Sequence, residues 1–374
     1  MIGDKTVQRA GDGSIQTVIL EQNVVQGVSE ERATEIARQQ ADLAVKVAYA
    51  QEAASVAHKR ITRADQKIIA KLAANELLDV FGEPAFLSAY QRAQIGAAQT
   101  DSEDSYEILA NLMVERARTT ASPVRAATIK AIESVDLIDD KALCGLTFIW
   151  ACTNLAPSTS DAKASLRLLE DVYSSLQCEN LPRGRYWVDH LEALNLVRED
   201  RSSNFNKLPS IVLVSGPAWA CTGYTSSEMA EAMGELSFLT GVTFHGAAIS
   251  VNPYDAKRAL FPGRSAKAVI GRIEEIHGVN GQVMSQDSRA RVEEILAKMD
   301  EVDSGYSSAF AEDFLSREPL RIVSDWIDGI SKHVRITHPG RAIAYANAKR
   351  LHALDGIGSL ADTLTLDSEE SAKG

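Results

Sequence analysis

The side chains best suited to chemistry in this 374-residue chain are its seven histidines, its four cysteines and one serine beside an apolar run. His58, His190, His245, His277, His333, His338 and His352 form no H-E-x-x-H and no H-x-H, so no helix face offers paired imidazoles to zinc. Asp189 and His190 are adjacent, and neighbours on a helix point to different sides, which separates a would-be acid from its base. Ser215, in VLVSGPAW, follows an expected strand, a place where nucleophiles sit, yet G-x-S-x-G is absent. Gly11, Gly13 and Gly216 belong to neither G-x-x-x-x-G-K-[ST] nor G-x-G-x-x-G, which removes the usual phosphate cradles. The sequence therefore yields no catalytic, metal-binding or cofactor-binding residue. An enzyme reading has to assemble its site in space from the second half, with Ser215, His245 or Asp189 and His190 as participants.

Composition narrows the classes further. A net charge of -12 opposes broad sequence-independent nucleic-acid binding, which depends on Lys and Arg neutralising phosphates. Cys144, Cys152, Cys178 and Cys221 form no C-x-x-C pair and read as buried, reduced thiols. The start, MIGDKTVQRAGDGS, lacks the charged and apolar regions of a signal peptide, and the longest apolar run, Ala142 to Ala156, is short for a bilayer. A cytoplasmic protein without membrane contact is the expectation.

The elements that must position any site are mostly helical. Gln8 to Gln26, QRAGDGSIQTVILEQNVVQ, is the exception: a polar turn at Gly11 to Ser14, then a β-prone segment from Ile15 to Val25. A lone strand needs a ladder partner for its backbone groups, from this chain or from another copy. Low charge, no proline and the amides at 16, 22, 23 and 26 favour stacking of identical strands, while an edge strand in the chain's own sheet stays equally open. Ser29 caps a long helix, along which Ile36, Gln40, Leu43, Val47, Ala50, Ala54, Ala57 and Ile61 recur in steps of four and three. Strand and seam together predict self-association through Ile15, Val18, Leu20, Val24, Ile36, Leu43, Val47 and Ala50.

The fold class expected is mainly α. Residues 1–28 form a β-strand arm, 29–62 the long helix, 63–156 a helical domain, and 157–316 a mixed α+β region. Residues 317–357 read as a winged-helix-like module and 358–374 as a disordered tail. Within the helical domain the spacing predicts helices over 67–81, 86–98, 102–117, 123–135 and 138–155. Beyond it come helices over 161–176, 186–197 and 226–239, strands over 211–214 and 242–251, then helix 319–330, strand 334–336 and a helix from 341 to 354 capped by Thr337-His338-Pro339-Gly340. Trp187, Trp219 and Trp326 with Arg183, Arg185 and Tyr186 are candidates for a ligand or partner surface. The closing module is locally basic, and Arg335, Arg341, Lys349 and Arg350 are the candidates for an anionic partner, nucleic acid or an acidic protein face.

The segments AGDGSIQ, GVSEERATEIA, LMVERARTTASPVRAATIKAIESVDLIDDKALCGLTFIWACTNL and ITHPGRAIAYANAKRL, in this order, resemble the uncharacterised bacterial LPO/Vpar family. His338 stands in the cap where that family more often has a small or hydrophobic residue. The resemblance implies structural motifs and carries over no active site. Similar turn-and-strand starts occur on bacterial conflict and antiphage proteins, and the resemblance makes antiphage defence a setting for this chain. The functional expectation is a non-enzymatic, self-assembling scaffold or sensor, with a nucleic-acid-binding regulator as the alternative.

Overall fold

The computed structural model describes residues 30–119, 121–155, 161–200, 202–240, 250–260 and 285–355. The protein is mainly α with a small mixed α+β part. In chain order the helices are α1 (Glu30–Ala74), α2 (Pro84–Gln99), α3 (Glu103–Arg118), α4 (Ser122–Ile132), α5 (Asp140–Asn154), α6 (Ala162–Ser175) and α7 (Tyr186–Ala193). Strand β1 (Val197–Asp200) follows, then α8 (Leu208–Ser215), β2 (Tyr224–Thr225), α9 (Ser226–Thr240), β3 (Ser250–Asn252) and β4 (Asp255–Leu260). The chain then supplies α10 (Gln286–Met299), α11 (Ser304–Ser316), α12 (Glu318–Asp328), β5 (His333–Ile336) and α13 (His338–Arg350). The expected strand arm, with Ile15, Val18, Leu20 and Val24, lies outside the described residues.

Two compact units divide the chain at Lys59/Arg60. In the first, the described residues are the opening turns of α1. Its stripe positions Leu43 and Val47 are 62% and 49% exposed, and Ala50 is exposed while Ile36 is half-buried.

The second unit is built around buried helices. The last turns of α1 bury Ala64, Ile68 and Leu72, four residues apart on one face. Beside that stripe, Arg63 bonds Glu103 (3.1 Å), Lys67 bonds Glu107 (2.8 Å) and Lys71 bonds Asn111 (2.6 Å), each pair 40 residues apart. A constant offset means that α1 and α3 run parallel in fixed register. Asn111 in turn donates to the Ala346 carbonyl of α13 at 2.9 Å. Helix α3 buries ten residues from Tyr106 to Arg116, and α5 buries all of Gly145 to Cys152. Ser102 and Asp139 cap these two helices by accepting from the amides of Ser105 and Ala142.

Helix α13 packs against α3, α4 and α5 and buries eight of its residues, among them Ile343, Tyr345 and Asn347. Thr337 caps it, accepting from the Gly340 amide at 3.3 Å, with Pro339 in the first turn. The same threonine ties that turn to the end of α7: its amide donates to the Leu196 carbonyl at 3.0 Å and its hydroxyl reaches the same oxygen at 2.9 Å. Strand β5 pairs antiparallel with β1, Val197 opposite Ile336 and Arg198 opposite Arg335. Of the winged-helix-like module expected over 317–357, the described residues 317–355 are thus not packed as a module of their own. The ladder partner of β5 comes from 197–200, and the closing helix belongs to the same core as Ala64 to Leu155. A second, smaller core joins β2, β4, α9 and α10 through Tyr224, Met229, Leu236, Ile295 and Met299.

Three local expectations change. The helix expected over 67–81 is the end of α1, followed by a short 3-10 turn at Leu78–Gly82. Residues 211–214 are helical: Pro209 sits in the first turn of α8, and burial of Leu208 and Val212 overrides the β-branched preference. Helix α7 stops at Ala193, and Val197 begins a strand.

Gly340 has no room for a side chain, since a Cβ there would run into the Leu196 carbonyl oxygen and lie 2.8 Å from Ile336 Cγ2. Gly340→Ala is expected to lower stability by about 1–3 kcal/mol. Urea unfolding followed by circular dichroism checks this, with Gly82→Ala, which meets nothing within 4 Å, as the control expected to unfold like the wild type.

Candidate functional site

Two clusters of polar side chains are set into the second unit, and the first lies where α3, α5 and α13 meet. Glu115 of α3, with a side chain 6% exposed, accepts from Lys349 Nζ at 3.0 Å and has Arg118 at 4.0 Å. Lys349 also stands 4.7 Å from the centre of the Tyr345 ring, a cation–π distance. Arg350 bonds Asp104 at 2.9 Å and Asn347 Oδ1 at 2.9 Å, and Asn347 donates to Thr147 Oγ1 at 2.8 Å. Arg116, 2% exposed, and Arg125 reach the same Glu83 oxygen at 3.7 and 3.6 Å. Burial alone would pull the Lys349 pKa down, but the Glu115 carboxylate and the Tyr345 side chain together more than offset it, so the net shift is upward and the lysine stays charged. A lysine pKa raised by folding gives stability that is whole below the ordinary lysine value and lost as pH rises through the raised one.

These contacts place the candidates for an anionic partner. Lys349 and Arg350 hold carboxylates of the fold, Arg341 is half-buried in the first turns of α13, and Arg335 is exposed on β5.

The second cluster is a cavity of about 690 Å³ between the loop 178–185, α7, α12, β1 and β5. It brings together four of the six residues proposed as a binding surface: Trp187, Trp326, Arg183 and Arg185 all line it. The two indoles stack with ring centres 5.6 Å apart at 28°. Their N–H groups donate inward to the loop, Trp187 to the Gly184 carbonyl at 3.0 Å and Trp326 to the Pro182 carbonyl at 2.8 Å. The far side of Trp187 rests on Gly145, where a Cβ would stand 2.5 Å from the ring. The tryptophans therefore form a wall that pins the loop. Arg185 is committed to Glu199 at 2.7 Å and Asp189 at 3.1 Å. Trp219 lies elsewhere, stacked on Phe310, and Tyr186 stacks on His190 at the surface.

Among the described residues, those named for an enzyme reading do not converge. Asp189 binds Arg185, whereas His190 Nε2 lies 3.0 Å from the Leu137 carbonyl and 3.8 Å from Asp139. Ser215 ends a helix instead of following a strand, and His245 lies outside the described residues. Among the described residues no group of three His, Cys, Asp or Glu side chains is placed to hold a metal ion. All four cysteines are free thiols, and burial pushes Cys152 up to about 12 and Cys144 and Cys221 up to about 11, which keeps them protonated at neutral pH. Among the described residues no helix is long and apolar enough to cross a membrane.

A family model whose description reads ":-like" matches residues 27–356, and the chain belongs to that family. The match begins at the first residue of GVSEERATEIA and takes in both long motif segments, consistent with an uncharacterised bacterial family of the kind they resemble. No curated protein and no solved structure matches the chain.

Sequence reasoning missed Glu115, Asn111 and Thr147, the partners that bind α13 to its neighbours. The signal was available as polar residues interrupting apolar helices, but their partners are 200 or more residues away. Lys349→Met leaves the Glu115 carboxylate buried with only Arg118 near it, and is expected to cost about 2 kcal/mol, below the ~3–5 of fully buried pairs because the lysine is part-exposed. Changing Glu115→Gln in the same chain should recover part of that loss, and a double-mutant cycle in urea unfolding measures the coupling.

Proposed function

We propose that the protein is a non-enzymatic, self-associating scaffold or sensor whose copies meet along residues 30–59 of α1. The observation that carries this reading is the exposure of Leu43 and Val47 at 62% and 49% on one face of the helix. Apolar side chains concentrated this way usually cover a partner surface. A second copy fits the spacing, because the stripe's steps of four and three read the same in both directions about a centre between 47 and 50. In an antiparallel pair Leu43 faces Ala54, Val47 faces Ala50 and Gln40 faces Ala57, large against small at each of these three central layers. A parallel pair in register would set Leu on Leu and leave gaps between alanines. The alanines that flank the stripe, Ala37, Ala44 and Ala48, let the two backbones approach closely. Antiphage defence is the setting that goes with this reading, on the resemblance of the N-terminal turn and strand alone. Nucleic-acid recognition through Arg335, Arg341, Lys349 and Arg350 has less support, since two of the four already bind carboxylates within the fold.

Sedimentation equilibrium of the full chain at micromolar concentration tests the reading. The wild type is expected above the mass of one chain, and Leu43→Asp with Val47→Asp is expected to shift it to the monomer without changing the helical signal. A monomeric wild type, or a variant that associates as strongly, contradicts it.

A further inference from the structure

The cavity beside the tryptophan pair has the size of small-molecule sites, which run from roughly 300 to 1,000 Å³. Its accessible apolar surface comes from Ile322, Trp326 and Ile330, each half-buried, over a buried floor of Val188 and Val334. Charge at its rim is divided in an informative way. Arg185 is held by Glu199 and Asp189, and Asp325 has Arg321 at 3.7 Å. Glu179 and Arg183 also line the cavity, and among the described residues neither makes an ion pair, with the other or with a third group. The segment that carries them is pinned by the two indole N–H bonds to Pro182 and Gly184, so these opposite charges sit on a rim ordered in advance.

We propose that this cavity binds a short apolar zwitterion, an amino acid or dipeptide with free ends, its side chains against Ile322, Trp326 and Ile330, its carboxylate at Arg183 and its ammonium at Glu179. Arg183 presents a planar fork of donors suited to a carboxylate, and Glu179 accepts from an ammonium. A ligand of either single charge would satisfy one of them and face the other unpaired. The apolar wall supplies affinity, and the two ends supply selection for free termini.

Isothermal titration of the full chain with L-leucyl-L-leucine tests this. Binding is expected, about tenfold weaker for the N-acetylated or the C-amidated form and weaker still for glycylglycine. Arg183→Gln should erase the preference for the free carboxylate and keep that for the free amine; Glu179→Gln should do the reverse. Both residues are exposed, so both variants are expected to keep the wild-type circular dichroism. Absence of binding by every probe at millimolar concentration, or unchanged end preferences in both variants, overturns the proposal.

Discussion

The structure of the second unit depends on a helix that sits almost entirely inside it. Helix α13 buries eight of its residues against three other helices, so its start must be fixed where it enters the core. Thr337 and Gly340 do this together. The threonine joins the helix cap to the Leu196 carbonyl, and the glycine removes the side chain that would otherwise hold the two backbones apart. The β1 and β5 pairing runs directly into this corner, which aligns the end of α7 with the start of α13 and closes the rear of the cavity through Val334.

Burial on all sides requires that polar groups on α13 find partners within the core, and each of those described does. Asn347 reaches Thr147, Lys349 reaches Glu115, and the Ala346 carbonyl takes the amide of Asn111. An unmet polar group there would cost about 1–3 kcal/mol, so these pairs specify which helix face meets which neighbour. The motif segments of the family, ERAR on α3, GLTFIW on α5 and AIAYANAKR on α13, converge on this network. Their residue types follow from helix packing.

Much of the fold was legible in the sequence because caps and turns act locally. Ser102 and Thr337 start their helices as their side chains predict, and the apolar periodicity of α2, α3 and α5 sets their extents within a few residues. What was not legible was set by distant partners. Residues 211–214 look like a strand until Pro209 and the burial of Leu208 and Val212 are known. Helix α13 looks amphipathic because Asn347 and Lys349 are polar, and only their remote partners allow them inward. Of the candidate sites, the grouping of Trp187, Arg183 and Arg185 was legible because they are contiguous in a loop and the helix it starts, to which Trp326 of α12 returns. The cavity that Glu179 and Arg183 line was not, since its other walls come from β5 and α12.

The central claim joins a self-sufficient helical body, closed by α13, to a helix whose apolar stripe is completed by a second copy. Amide hydrogen exchange of the full chain at a low and a high protein concentration tests both parts in one measurement. The account predicts that amides of residues 338–350 exchange among the slowest at either concentration, while those of 40–57 gain protection as concentration rises. Fast exchange in 338–350, or protection in 40–57 that does not change with concentration, would contradict it.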